Sequence, residues 1–437
     1  MTTALAIAAV VLVAIALQAL WSRSDARSAK VAAEAKADIA AMGELVPETI
    51  HPKIDPDRCM GSGACVDACP EHDVIGVISG RAHLINSLGC IGHGACAEAC
   101  PVQAIQLVYG TSKRGVELPR IDAHFQTSQP GVYIVGELGG MGLIRNAVSQ
   151  GSQAAKHIVD SSRRGAGGAF DAIVIGAGPA GISAALELMK AGLSLELLER
   201  ESFGGTIAHY PRRKIVMTGT LDIPVYGEVK KRTMSKEDLV ELWEEIRERT
   251  SLPVTTGELV TKLALSDDAT WVVTSTSGER RAANVVLALG RRGSPRKLEV
   301  SGEELPKVAY RLLEPDFFAR QHVLVVGGGN SAVESAIGLA DTGTCASVTL
   351  SYRRAELSRV RRDNRTRIDE LIRDKKVRAM MPSQVVSISK KHVSIKGADG
   401  ETFALKNDAV IVQAGGTAPN ELLASFGISM VTKYGDS

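Results

Sequence analysis

The stretch Asp171-Ala-Ile-Val-Ile-Gly176-Ala-Gly178-Pro179-Ala180-Gly181 constrains the fold of this chain more than any other. A short β-branched run ends in G-x-G-x-x-G and passes directly into Ile182–Lys190, which has helical character. That order dictates a strand, a tight turn and a helix N-terminus. Gly176 permits the turn, Gly178 lets the backbone approach a pyrophosphate, and Gly181 lets helix and strand pack closely, with Pro179 and Ala180 completing the cradle. Free N–H groups and the helix dipole there favour an anion. A dinucleotide ribose needs an acid at the end of the next strand, and Leu193-Ser-Leu-Glu-Leu-Leu-Glu199 supplies Glu199.

Upstream, Gln126-Thr-Ser-Gln-Pro-Gly-Val-Tyr-Ile-Val-Gly136-Glu137-Leu-Gly-Gly140 reads as a turn, a short apolar strand and a glycine-rich end. It resembles the T-S-x-P-G-(I/V)-(Y/F)-x-x-G-D segment of the thioredoxin-reductase-like flavoproteins. In that family the acid meets the FAD ribityl chain and the following helix points its N-terminus at the flavin. Glu137 stands here where the family has Asp, and Asn146 and Ala147 fall where the helix begins. The resemblance extends to Gly204-Gly205-Thr206, which lets the flavin lie on backbone, and to Ala288-Leu289-Gly290, which approaches FAD before the crossing into the second domain. In the family the T-S-x-P-G segment closes the chain, whereas here it precedes the fingerprint. Val410-Ile-Val-Gln-Ala-Gly415-Gly-Thr-Ala-Pro-Asn420 resembles the part just before that closing segment. A circular permutation follows, with strand 132–136 in the same sheet as 171–175 and Gly165-Ala-Gly-Gly168 as the join. Permutation is tolerated where the old termini lie close together.

The second dinucleotide site centres on His322-Val-Leu-Val-Val-Gly327-Gly-Gly329-Asn330-Ser331-Ala332, with alanine in the permitted third position. Two such sites imply FAD plus a nicotinamide cofactor. The next strand, Ser347–Tyr352, ends in Arg353 and Arg354 with no acid. Arginines suit a 2′-phosphate, which favours NADPH over NADH. Arg359, Arg361, Arg362, Arg365 and Arg367 continue the run. A solvated helix face is the default reading, and docking of an acidic ferredoxin-like partner the alternative. A net charge of +2 and the lack of aromatic stacking residues nearby give no reason to expect nucleic acid. Ser235–Thr250 reads as a helix with Asp238 in the capping-box position and Leu239, Leu242, Trp243 and Ile246 as its core stripe. Thioredoxin reductases proper carry C-x-x-C before the second glycine motif, but Val308–Phe318 holds no cysteine. That absence is shared with bacillithiol-disulfide-reductase relatives.

Six of the seven cysteines form two matching blocks, Cys59-Met-Gly-Ser62-Gly-Ala-Cys65-Val-Asp-Ala-Cys69-Pro70 and Cys90-Ile-Gly-His93-Gly-Ala-Cys96-Ala-Glu-Ala-Cys100-Pro101. The repeat resembles the bacterial two-cluster ferredoxin run C-x2-C-x2-C-x3-C-P, in which the fourth cysteine serves the other cluster. The resemblance implies that Cys59, Cys65 and Cys100 share one iron-sulfur cluster and Cys90, Cys96 and Cys69 the second. Ser62 and His93 occupy the second ligand position. Each cluster then has three thiolates, which suits 3Fe-4S, or 4Fe-4S with an oxygen, nitrogen or solvent ligand. The spacing does not choose between these.

Residues Thr3–Trp21 carry no charge, and Arg23, Arg27 and Lys30 follow. About 20 such residues span a bilayer, and the positive-inside rule leaves the rest of the chain cytoplasmic. A cleaved signal peptide is the competing reading, but a basic n-region is lacking.

The expected fold class is α/β: two Rossmann-like domains for FAD and NAD(P), a small α+β ferredoxin domain and an N-terminal transmembrane helix. The expected boundaries are an anchor over 1–22, a stalk over 23–54, the ferredoxin-like domain over 55–109, the FAD domain over 110–294, the NAD(P) domain over 295–409 and a return to the FAD domain over 410–437. The resemblance implies an FAD-dependent NAD(P)H oxidoreductase passing electrons to, or from, an unidentified partner protein, at the cytoplasmic membrane. A low-molecular-weight disulfide reductase and a redox sensor without sustained turnover are the alternatives. A homodimer is the habit of the resembled superfamily. Hydride transfer needs no side-chain acid or base, so no catalytic residue is expected.

Overall fold

The computed structural model describes residues 50–435 except 72–73, 88–89, 91, 93, 112–114, 140–142, 211, 213, 232, 291–292, 313, 358–359, 361 and 418, together with residues 12, 15, 16, 18, 22, 23, 25–34, 36 and 37. The apolar run 3–21 lies largely outside the described residues, as does His93. No helix among the described residues is long and apolar enough to cross a membrane. The chain forms two compact units, residues 1–116 with 433–437, and residues 117–432.

The first unit folds the cysteine repeat symmetrically. Strand β1 (His51–Ile54) precedes the first cysteine block, short helix α1 (Ala64–Asp67) runs between its cysteines, and β2 (Ile75–Ile78) and β3 (Arg81–Leu84) form a hairpin. Ser79 and Gly80 make its two-residue turn, both with positive φ (52° and 73°), the geometry that matches strand twist. Helix α2 (Ala95–Glu98) repeats α1 in the second block, and β4 (Ile105–Val108) returns to pair antiparallel with β1. The buried core is Val74, Ile75, Ala82 and Ile105 around Cys65, Cys69 and Cys96.

In the second unit, β5 (Val132–Ile134) leads into α3 (Ile144–Asp160). Strand β6 (Phe170–Ile175), helix α4 (Pro179–Lys190) and β7 (Leu195–Glu199) follow. Helix α5 (Lys236–Thr250) comes next, then β8 (Val254–Thr256), β9 (Val260–Leu265), β10 (Trp271–Ser275) and the long β11 (Gly278–Leu287). These strands build one sheet in the order β8-β7-β6-β11-β10-β9. Strand β11 is shared: it pairs antiparallel with β10 along its first half and parallel with β5 along its last residues, while β6 runs parallel on its other side. The segment upstream of the fingerprint is therefore a strand of the fingerprint's own sheet. Its join is pinned: fully buried Asn284 donates to the carbonyls of Arg163 (3.1 Å) and Asp171 (2.9 Å). Helix α3 lies hard against α4, where a Cβ on Gly151 would strike the Ala180 carbonyl. Ser183 Oγ donates to Val148 O at 2.7 Å and Ser152 Oγ to Glu187 at 2.8 Å across the same seam. Ser235 and Asp238 form the reciprocal capping box, and Leu239, Leu242, Trp243 and Ile246 are buried.

Further along, strands β12 (Val308–Ala309), β13 (His322–Val326), β14 (Ser347–Ser351), β15 (Arg378–Met380) and β16 (Ala409–Val412) form an all-parallel sheet ordered β12-β16-β13-β14-β15. Helix α6 (Asn330–Thr342) packs on it, and α7 (Arg362–Arg373) packs on α6. Strand β16 pairs parallel with β12 on one side and β13 on the other. The crossing is made where Ser294–Pro295 pairs antiparallel with Gly416–Thr417. Beyond it, Leu423, Phe426 and Ile428 are buried against the sheet that holds β5, β6 and β11.

Candidate functional site

Both glycine fingerprints open on one cavity of about 1150 Å³. On the β6–α4 side its wall includes Gly176, Gly178, Pro179 and Ala180. Nothing lies within 4 Å of where a Cβ on Gly178 would stand, while one on Gly181 would strike the Gly176 carbonyl. Gly178 thus faces open space for a phosphate and Gly181 sits in the packing seam behind it. Glu199 is buried at the end of β7, taking the Ala177 N–H at 2.7 Å on one oxygen and the Glu201 N–H at 2.8 Å on the other. Gly136, Glu137 and Ala147 reach the wall, as do Gly205, Thr206 and Gly290. Asn146, one residue from Ala147, is half-buried in the first turn of α3 and is not part of the wall. The open cradle, the helix N-terminus and the acid fit a dinucleotide such as FAD.

The second half of the cavity is lined by Gly327, Gly329, Asn330 and Ser331 at the start of α6. Ala332 is fully buried and supports the turn from behind. Gly329, like Gly178, has no atom within 4 Å of its Cβ position. Of the two arginines ending β14, Arg353 lines the cavity and Arg354 is exposed outside it. This half fits a second dinucleotide, with a guanidinium at hand for a 2′-phosphate.

Several polar groups where the two domains meet are invisible to sequence motifs. Glu201, two residues past the ribose acid, forms ion pairs with Arg200 and, across the cavity, with Arg311. Arg311 in turn holds the Glu201 carboxyl below its ordinary value. The His209 imidazole lies 3.0 Å from the same carboxylate, yet its Nε2 is buried without a hydrogen bond. Burial, helped by Arg311, pushes His209 below its usual value and so towards the neutral imidazole. Lys214, in the basic stretch 210–217, sits 4.9 Å over the Tyr210 ring and 3.3 Å from Glu334 of α6. Asn364 of α7 donates to Glu334 (3.1 Å) and to Asn330 (3.2 Å). The loop after β7 and helix α6 are thereby tied beside the cavity.

In the other unit the thiols gather by trio. The charges of Cys59 and Cys100 add to the burial that raises Cys65. Burial pushes Cys96 up to about 12, with Cys90 and Cys69 adding most. Cys59 Sγ accepts the Ala82 N–H at 3.3 Å and Cys100 Sγ the Ala104 N–H at 3.2 Å, the contacts that stabilise cluster-bound thiolates. All six cysteines are free of disulfides. Among the described residues no three His, Cys, Asp or Glu side chains converge on a single-ion site; thiolates at the corners of an iron-sulfur cluster stand further apart than ligands around one ion. The donor set fits iron-sulfur clusters, and Ser62 is exposed beside the first trio. Cys345 packs at the edge of the core between α6 and the parallel sheet.

The pyridine nucleotide-disulphide oxidoreductase family matches residues 173–434, and the 4Fe-4S dicluster domain matches residues 51–101. Ferredoxin–NADP reductase of Ignicoccus hospitalis is 28% identical over 265 residues, 60% of this chain and 82% of that protein. Bacilliredoxin reductase Bdr of Bacillus subtilis is 26% identical over 269 residues, with the same shares of 60% and 82%. Among solved structures, the bacillithiol disulfide reductase Bdr of Staphylococcus aureus aligns with a TM-score of 0.52 at 26% identity, covering 60% of this chain and 80% of that one.

Proposed function

Because the chain belongs to the pyridine nucleotide-disulphide oxidoreductase family, we propose that it is an FAD-dependent NADPH oxidoreductase that exchanges electrons with a protein partner through two iron-sulfur clusters, one per thiol trio. One observation carries this reading. The cavity that both fingerprints share has no cysteine among the described residues lining it, while six cysteines form paired trios elsewhere in the chain. When bound, FAD supplies the exchange between two-electron and one-electron chemistry. The chain's own residues bind and orient. Gly178 and the α4 N-terminus take the pyrophosphate, Glu199 the ribose and Glu137 the ribityl chain. Gly329 and the α6 N-terminus take the nicotinamide dinucleotide, with Arg353 on its 2′-phosphate. No proton need move at a side chain, so no residue is assigned as acid or base. Similarity to ferredoxin–NADP reductases supports the reading, with a ferredoxin-like domain here in the same chain. The uncharged run 3–21 followed by Arg23, Arg27 and Lys30 supports attachment to the cytoplasmic membrane, tested by recovery of the chain in washed membranes with and without residues 1–22.

Similarity to Bdr enzymes favours a second reading, direct reduction of a small disulfide. Anaerobic stopped-flow mixing of cluster-loaded protein with NADPH separates the two. Flavin bleaching followed by a reduced-cluster electron paramagnetic resonance signal supports electron transfer. Bleaching with clusters left oxidised, and disulfide turnover that survives cluster removal, supports the second reading and overturns the first.

A further inference from the structure

The shared cavity lies between separate apolar cores. Among the described residues, the clusters around β6, β11 and α4 draw only on residues 121–289 and 422–430, and those around β13, β16 and α6 only on 298–414. No cluster takes side chains from both domains. The main chain passes between them at the short ribbon of Ser294–Pro295 with Gly416–Thr417. Domains joined in this way move relative to one another unless something further holds them. Three ion pairs span the gap. Arg311 donates through two guanidinium nitrogens to both oxygens of Glu201, the longer bond 3.3 Å, a fork that fixes orientation as well as distance. Glu314 accepts from Arg212 at 3.5 Å, and Lys214 stands 3.3 Å from Glu334. Arg311 and Glu314 belong to the stretch Val308–Phe318 that holds no cysteine, and they stand three residues apart, the spacing of the absent C-x-x-C. Their opposite signs meet opposite signs at Glu201 and Arg212, so a slipped pairing would set like charges together.

We propose that Arg311 and Glu314 are positioning residues: their ion pairs with Glu201 and Arg212 clamp the two domains over the cavity, so that the nicotinamide half faces the flavin half before any nicotinamide nucleotide binds. The inference rests on the reading that the two halves seat FAD and NADPH. No electron or proton passes through the clamp. Neither Arg212 nor Glu314 is among the residues lining the cavity, so that pair acts on the placement of the domains and touches no nucleotide.

The third pair supplies the readout, because a carbodiimide joins an amine to a carboxylate only where the two meet. The full chain as purified, with no nicotinamide nucleotide added, is treated with the reagent, and the rate at which Lys214 becomes linked to Glu334 is followed by peptide mass spectrometry. Lys190 and Glu187, 3.9 Å apart within α4, are the control. Wild type should form both links. An ion pair at sites this exposed shifts an equilibrium by about two- to fivefold. Arg311→Ala should therefore slow the Lys214–Glu334 link by that factor relative to the control, and Glu314→Arg, which adds repulsion, by at least as much. Arg212→Glu combined with Glu314→Arg exchanges the signs of the pair and should restore the link. In stopped flow, Glu314→Arg should slow flavin bleaching at saturating NADPH by a similar factor and leave the Kd for NADPH in place. A wild type without the Lys214–Glu334 link, a link that both substitutions leave untouched, an exchange that fails to restore it, or an effect confined to Kd overturns the proposal. The two levels separate cleanly. A missing or insensitive link with normal bleaching overturns the clamp alone, whereas a wild-type flavin that NADPH does not bleach overturns the underlying reading and leaves the cross-link to decide the clamp.

Discussion

Alanine at Gly181 and alanine at Gly178 separate packing from cofactor approach within a single turn. A Cβ on Gly181 would land on the Gly176 carbonyl oxygen, 3.1 Å from the carbonyl carbon and 3.3 Å from Ala288 Cβ. Gly176 is main chain at the end of β6 and Ala288 directly follows β11, so neither group has a rotamer that clears the space. Overpacking costs roughly 1–3 kcal/mol, and the upper part of that range applies to a clash with backbone. A Cβ on Gly178 meets nothing within 4 Å, and φ −82°, ψ −178° is extended backbone open to any residue. Gly178→Ala should leave the flavin-free fold within about 0.5 kcal/mol of wild type and put a methyl group where the pyrophosphate approaches. FAD at a hundred times its Kd adds about 2.7 kcal/mol to the folded state. With about 2–4 °C per kcal/mol for domains of this size, scanning calorimetry gives a distinct pattern. Gly181→Ala lowers the flavin-free midpoint by about 4–12 °C and Gly178→Ala by no more than about 2 °C. Added FAD raises the wild-type midpoint by about 5–11 °C and that of Gly178→Ala far less. A Gly178→Ala protein that loses as much flavin-free stability as Gly181→Ala, or that keeps the full FAD shift, would refute the reasoning.

Removing the Arg353 guanidinium forfeits a charge-assisted bond of about 1.5–3 kcal/mol, so Arg353→Ala should raise KM for NADPH about 10- to 100-fold and spare NADH. Equal losses with both cofactors would remove the 2′-phosphate role. Arg311 holds the Glu201 carboxyl below its unfolded value of 4.5, so the stability it contributes is full above pH 4.5 and is lost as pH falls through the lower folded value. The urea midpoint of wild type should exceed that of Glu201→Gln at neutral pH and converge with it in acid; a gap that widens on acidification contradicts the ion pair. Ser235→Ala breaks the capping box of α5 and should cost about 1 kcal/mol, read as a midpoint lowered by about 2–4 °C; an unchanged melt would show that the cap does not matter to the domain.

The parts of this protein that sequence reveals are those in which a few adjacent residues meet one local requirement. Gly176, Gly178 and Gly181 specify a turn by spacing alone, and Ser235 with Asp238 specifies a helix start three residues apart. The membership of Val132–Ile134 in the fingerprint's sheet was legible because its flanking residues resemble a segment of known place, whereas its pairing with β11 came only with the structure. The pairing of Cys69 with the second block came likewise from a resemblance, since spacing alone is silent on which thiols meet. Glu201 with Arg311 and Lys214 with Glu334 join residues more than a hundred positions apart. No period or turn chemistry announces such pairs; they exist only once two domains have closed on one cavity. Arg353 and Arg354 looked equivalent as a dipeptide, and only the direction in which the chain leaves β14 distinguishes the one that reaches the cavity.

The shared strand β11 also sets a timetable for synthesis. The β1–β4 pair is fully synthesised once β4 ends at Val108, whereas β5 waits for its partner residues Val285–Leu287. At about 5–20 residues per second, some 10–35 s separate the two events. Both cysteine blocks are therefore made while the sheet of the second unit still lacks the strand at its centre.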